Sequence, residues 1–75
     1  AAYGQFNLGL IYAGNSGVPQ DKVQSFKWFT LAAAIFPVSS KERDQAIYNA
    51  NQVAAKMTPA EIAEAQRLAK EWKPE

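Results

Sequence analysis

Proline and glycine breaks constrain this chain more than any other feature. They fall at Gly14-Asn15-Ser16-Gly17-Val18-Pro19, at Pro37-Val38-Ser39-Ser40, at Met57-Thr58-Pro59 and at Lys73-Pro74. A proline removes a backbone donor and clashes with the turn before it, so a helix interior excludes it. Glycine supplies the left-handed residue that ends many helices. The four stretches between these breaks carry apolar residues at spacings of three and four, the period of a helix. None alternates with the period of two that marks a half-buried strand. The chain is therefore predicted to be all-α.

The first stretch, Ala2 to Gly14, places Leu8, Ile11 and Tyr12 on one face. Gly9 lies within it at a cost of about 1 kcal/mol relative to alanine, which predicts the close approach of a neighbouring helix. The second, Asp21 to Phe36, opens on an N-cap aspartate. It carries two adjoining stripes, Phe26, Phe29, Ala33 and Phe36 beside Trp28, Leu31, Ala32 and Ile35. So wide an apolar face predicts a helix buried on two sides. The third, Ser40 to Lys56, follows Ser39 and Glu42, spaced as a capping box, and shows a small-residue stripe of Ala46, Ala50, Val53 and Ala54. The fourth, Pro59 to Trp72, has Thr58 as N-cap, proline at the first helical position and Glu61 to close the box. Its buried stripe is Ile62, Ala65, Leu68, Ala69 and Trp72, and Arg67 can pair with Glu71 one turn on.

Short connections between four helices predict two antiparallel αα-hairpins, helix one on helix two and helix three on helix four. Neither hairpin alone covers its two-sided apolar face. Stacking one on the other does, which is the logic of an α-solenoid, an αα-hairpin superhelix. With 75 residues and no cysteine, the chain has a small core and no disulfide to reinforce it.

Within that frame, Leu8-Gly9, Tyr12, Gly17-Val18, Asp21, Trp28 and Ala32-Ala33 stand at spacings that resemble the Sel1-like repeat, a relative of the tetratricopeptide repeat. The agreement extends over Ala2 to Ala33. Asn15 replaces the first turn glycine of the family pattern and tolerates a left-handed backbone. Ser25 replaces a small alanine, and its hydroxyl can bond back to a carbonyl one turn earlier. Phe36-Pro37 replaces a terminal glycine. The closing run from Lys56 to Pro74 is similar to the tails of many bacterial Sel1-like proteins.

The resemblance implies a Sel1-like repeat over residues 1–37 and an atypical, outwardly polar capping hairpin over 38–75. It implies a non-enzymatic, bacterial scaffold or adaptor that engages another protein or peptide. Tyr12, Trp28 and Phe29 match positions that fill the repeat core. Tyr3, Phe6 and Leu10 fall on the other side of the first helix, the side that lines the concave groove in tetratricopeptide repeats. They are expected to pack on a preceding repeat or to touch a bound peptide, and burial by a neighbouring repeat is the default at a solenoid's open end. Either use leaves an apolar patch, so self-association through that face is expected. Because the chain opens inside helical sequence at Ala1-Ala2-Tyr3, it reads as a piece of a longer protein.

Residue content weighs against other classes of function. There is no histidine and no cysteine. No metal or cofactor site is expected, and Ser16, Ser25, Ser39 and Ser40 have no histidine to activate them. Some Sel1-like proteins labelled β-lactamases carry cysteine-bridged helix pairs, so the hydrolase alternative lacks its framework here. Glu61 and Glu64 could act as acid and base, but the first turn of a helix accounts for their charge. The Gly14 to Gly17 turn follows a helix and lacks the lysine-hydroxyl ending of a phosphate loop. A net charge of +1, with both signs interleaved, argues against nucleic acid. No apolar run reaches the ~20 residues of a membrane span. Lack of cysteine fits bacterial cytoplasm and periplasm alike.

Overall fold

The computed structural model of the chain describes residues 1–15 and 17–72. The helices are α1 (Ala2–Leu10), α2 (Lys22–Ile35), α3 (Lys41–Ala54) and α4 (Pro59–Glu71). A widened turn, Ile11–Asn15, continues α1. There is no strand among the described residues. Ser16 and the Lys73-Pro74 break lie outside the described residues.

Local chemistry sets most boundaries. The left-handed residues of the first connection are Gly14, at φ 97, and Gly17, at φ 75, and no non-glycine residue among those described shares that region. Both glycines take that conformation without a Cβ penalty. Two carbonyls at the end of the helix are satisfied by the next segment. Tyr12 accepts from the Asp21 amide at 2.8 Å, and Ala13 accepts from Gln20 Nε2 at 3.5 Å. Asp21 caps α2 by accepting from the Gln24 amide at 3.1 Å.

The cap of α3 is Ser40, not Ser39. Its hydroxyl accepts from the Arg43 amide at 3.1 Å and donates to the Pro37 carbonyl at 2.7 Å, so one atom closes the turn and opens the helix. Ser39 is left exposed in the turn. At α4 the predicted box forms in full: Glu61 N–H donates to Thr58 Oγ1 at 3.1 Å, and Thr58 N–H donates to Glu61 Oε1 at 2.8 Å.

The packing is organised around α2. Gly9 meets Ser25, Phe6 meets Phe29 and Tyr3 meets Phe36, a series that steps in opposite directions along the two helices and makes α1 and α2 antiparallel. Gly9 has the close-approach role its position predicts, with the Phe29 ring only 2.7 Å from where its Cβ would be. Ser25, wholly buried, donates to the Gly9 carbonyl at 2.8 Å. The hydroxyl thus bonds between helices instead of back to its own, because the missing Cβ of Gly9 brings that carbonyl within reach.

Helix α3 lies against α2 through Ala46, which joins Ala32 and Phe36 in the main buried cluster. Helix α4 also packs on α2, burying Ala65 and setting the Trp72 ring edge-on to Trp28 at 5.6 Å. Direct packing between α3 and α4 is weaker than the contact of either with α2. Ile35, placed on the apolar face by its spacing, is 52% exposed, since Phe36 turns inward as the helix ends.

Candidate functional site

Tyr3, Phe6 and Leu10 stand on the side of α1 that borders α3. Tyr3 at the start of α1 reaches Glu42 at the start of α3, while Leu10 lines a cleft with Asn49 and Val53 near the other end. The two helices therefore run parallel along α2. They do not pack closely on each other. What separates them is a seam with two depressions, one at each end.

Tyr3 and Phe6, with Phe36, Glu42 and Gln45, line the first depression, of about 110 Å³. Tyr3 is 61% exposed. Its ring meets Phe36 edge-on at 5.1 Å, and its hydroxyl donates to Glu42 Oε2 at 2.9 Å. This bond, and then the carboxylate charge, raises the Tyr3 phenol above its ordinary pKa. Glu42 is held below the usual carboxylate value, first by its own backbone amide and then by the Tyr3 hydroxyl. Phe6 is half-buried, edge-on to Phe29 at 5.5 Å and to Phe36 at 6.4 Å. It belongs more to the core than to the surface.

Leu10 lines the second depression, of about 180 Å³. Its apolar wall is Leu10, Phe29 and Val53, and its polar wall includes Lys22, Asn49, Gln52 and Lys56. The structure thus puts the predicted trio along one seam but divides it between two depressions. All three residues face this chain's own α2 and α3.

Of the residues expected in the core, Phe29 is 1% exposed, whereas Tyr12 and Trp28 are half-buried. Trp28 serves the contact with α4, and Lys27 Nζ lies 4.3 Å from its ring centroid. The contribution of α3 to the seam escapes a reading of single helices. Glu42 carries a visible signal only as a capping residue, and Asn49, Gln52 and Lys56 carry none. Phe36 does carry one, its place on the apolar stripe of α2, and it lines the first depression beside Tyr3 and Phe6.

No group of three or more acidic, histidine or cysteine side chains converges among the described residues. No described helix is long and apolar enough to cross a membrane. Comparison with protein-family models, curated proteins and solved structures finds no match.

Proposed function

We propose that the chain is a protein-interaction module without catalytic activity. It reads as a helical-repeat scaffold of the Sel1-like type, with residues 1–37 as one repeat and 38–75 as the hairpin that caps it. The observation that carries this reading is the seam. Two parallel helices are held on a third but kept apart from each other, with aromatic and aliphatic side chains between them. Helix-lined grooves of this kind bind peptides through a few apolar anchors.

The capping role rests on the outer face of α4. Arg67 there pairs with Glu64 at 2.7 Å and Glu71 at 3.0 Å, all well exposed. A solvated charge network suits the closing face of an array, and it adds little stability on its own.

The test is selection of a random peptide library on the immobilised chain, followed by affinity measurement against a Tyr3→Ser, Leu10→Ser double variant of unchanged helicity. Selected peptides should lose at least about tenfold in affinity, as loss of interface anchors predicts. Failure to select any saturable ligand, or equal affinity for the folded double variant, refutes the reading.

A further inference from the structure

We infer that the Tyr3 end of the seam binds a small quaternary ammonium ion of choline's size, held against the rings of Tyr3, Phe6 and Phe36 with the Glu42 carboxylate beside it. This depression shares no lining residue with the one at Leu10. Its ligand is independent of the proposed peptide interaction.

Aromatic rings make up most of the lining, and Glu42 and Gln45 complete it. Phe36 stands at 82° to Tyr3 and at 69° to Phe6, so the rings form walls and not a stack. The faces of such rings carry partial negative charge and attract a cation. Tyr3 is the exposed wall, where a ligand enters from solvent. Its hydroxyl donates to Glu42 Oε2, which ties ring and carboxylate together.

The charge of the site is one-sided. Glu42 is the charged residue of the lining, and no lysine or arginine accompanies it. The ion pairs among the described residues belong to Arg67, and Lys27 lies over Trp28, so neither matches this carboxylate. Phe36 caps α2, whose last turn holds no basic residue. The carbonyl end of that helix therefore adds negative potential at the depression. The amide end of α3 accounts for a carboxylate at Glu42. It does not account for an exposed aromatic ring set against that carboxylate.

The rings also decide the kind of cation. A primary ammonium is compact and strongly hydrated, and it would give up water to meet Phe6 and Phe36, which offer no side-chain acceptor. A quaternary ammonium has no N–H to satisfy, and its methyl groups meet the rings directly.

The experiment is an amide-resolved NMR titration of the 75-residue chain at constant ionic strength. The probes are choline chloride, its neutral carbon isostere neohexyl alcohol, methylammonium chloride, and a short peptide carrying a trimethylated lysine. Choline should give saturable shifts at Tyr3, Phe6, Glu42 and Gln45, with a Kd of about 1–10 mM, as solvent-exposed cation–aromatic contacts predict. The alcohol and methylammonium should each bind at least about fivefold more weakly, since one lacks the charge and the other the methyl contacts. Glu42→Gln and Tyr3→Leu should each weaken choline by about threefold or more. Both side chains are exposed, so both variants should keep the helical spectrum.

Neohexyl alcohol binding as tightly as choline would reduce the site to an apolar hollow and overturn the proposal. So would tighter binding of methylammonium. A trimethyl-lysine peptide that binds tenfold more tightly than choline would reassign the site to a modified side chain of a protein partner. No saturable shift at these residues, or equal choline affinity in both folded variants, would remove the ion from this end of the seam. Failure of the library selection leaves choline binding untouched, and loss of choline binding leaves the interaction module standing.

Discussion

Replacement of Gly9 by alanine should destabilise the fold, although alanine is the better helix former. A Cβ at this position would lie 2.7 Å from Cδ1 and Cε1 of Phe29 and 2.9 Å from Cγ. The ring cannot simply turn away, since Phe29 is buried and wedged edge-on against Phe6. An unobstructed glycine-to-alanine change in a helix gains about 0.8–1.0 kcal/mol. Overpacking a filled core costs about 1–3 kcal/mol, and three contacts under 3.0 Å place this site in the upper half of that range. If α1 lifts away instead, Ser25 loses the Gly9 carbonyl, and a buried hydroxyl without a partner costs about 1–3 kcal/mol. The net loss is about 1–2 kcal/mol, or a fall in Tm of roughly 5–15 °C for a domain of this size.

Gly4 supplies the control within the same helix. No neighbouring atom lies within 4 Å of a Cβ built there. Gly4→Ala should therefore gain about 0.5–1 kcal/mol from propensity alone, the lower end because Gly4 lies in the first turn of α1. Urea denaturation followed by far-ultraviolet circular dichroism measures both variants against the parent, with an unchanged m-value as the check that the same surface is exposed. Opposite signs are expected for the two substitutions. A Gly9→Ala protein as stable as the parent would show that α1 and α2 are not in the contact described, and the alignment of Phe6 and Leu10 along the seam would fall with it.

Gln5 is 5% exposed, and its Oε1 has no hydrogen-bond partner, so Gln5→Leu should raise stability by about 1 kcal/mol in the same denaturation assay; a loss would mean that the amide is satisfied. Thr58→Ala should cost about 1 kcal/mol by breaking the capping box, and Thr58→Ser should recover most of it. The Tyr3–Glu42 bond needs a neutral phenol and an ionised carboxylate. Glu42 lies below its ordinary pKa when folded, so its contribution is present at neutral pH and is lost as the pH falls through that lowered value. Tyr3 lies above its own, so its contribution is complete below about pH 10 and disappears as the pH rises through the raised value. Tyr3→Phe should reduce both limbs of the stability–pH curve, and an identical curve for the variant would show that the bond does not form.

What could be read in the residues was local. Thr58-Pro59-Glu61 and Asp21 set their helix starts through contacts within one turn, and the structure repeats both. The start of α3 shifts by one residue because Ser40 also has to reach back to Pro37, a demand that a spacing rule does not contain. Gln5 looks like a surface residue in any hydropathy pattern. It is buried because it shares with Gly9 the line on which α1 meets α2, and the polarity of one side chain does not outweigh the burial of a whole face. The seam is less legible still. Its two sides lie far apart in sequence, and only their common packing on α2 brings them together.

That common packing also explains why the seam stays open. Gly9 and Ser25 bring α1 close to α2, and Ala32, Ala46 and Ala50 do the same for α3. Small residues thus draw both backbones down onto α2, and the larger side chains are left to the flanks. Phe6, Leu10 and Val53 on those flanks remain half-buried and leave the depressions between them. The width of the seam is therefore set in the core, by side chains that do not line its depressions. A bulkier residue at Gly9 or Ala46 should alter peptide affinity as well as stability, and in a fixed direction, because lifting either helix from α2 moves Leu10 away from Val53 or tilts one wall against the other. Affinity that stays constant across a series of such core variants, each still folded, would show that the ligand sits elsewhere on the molecule.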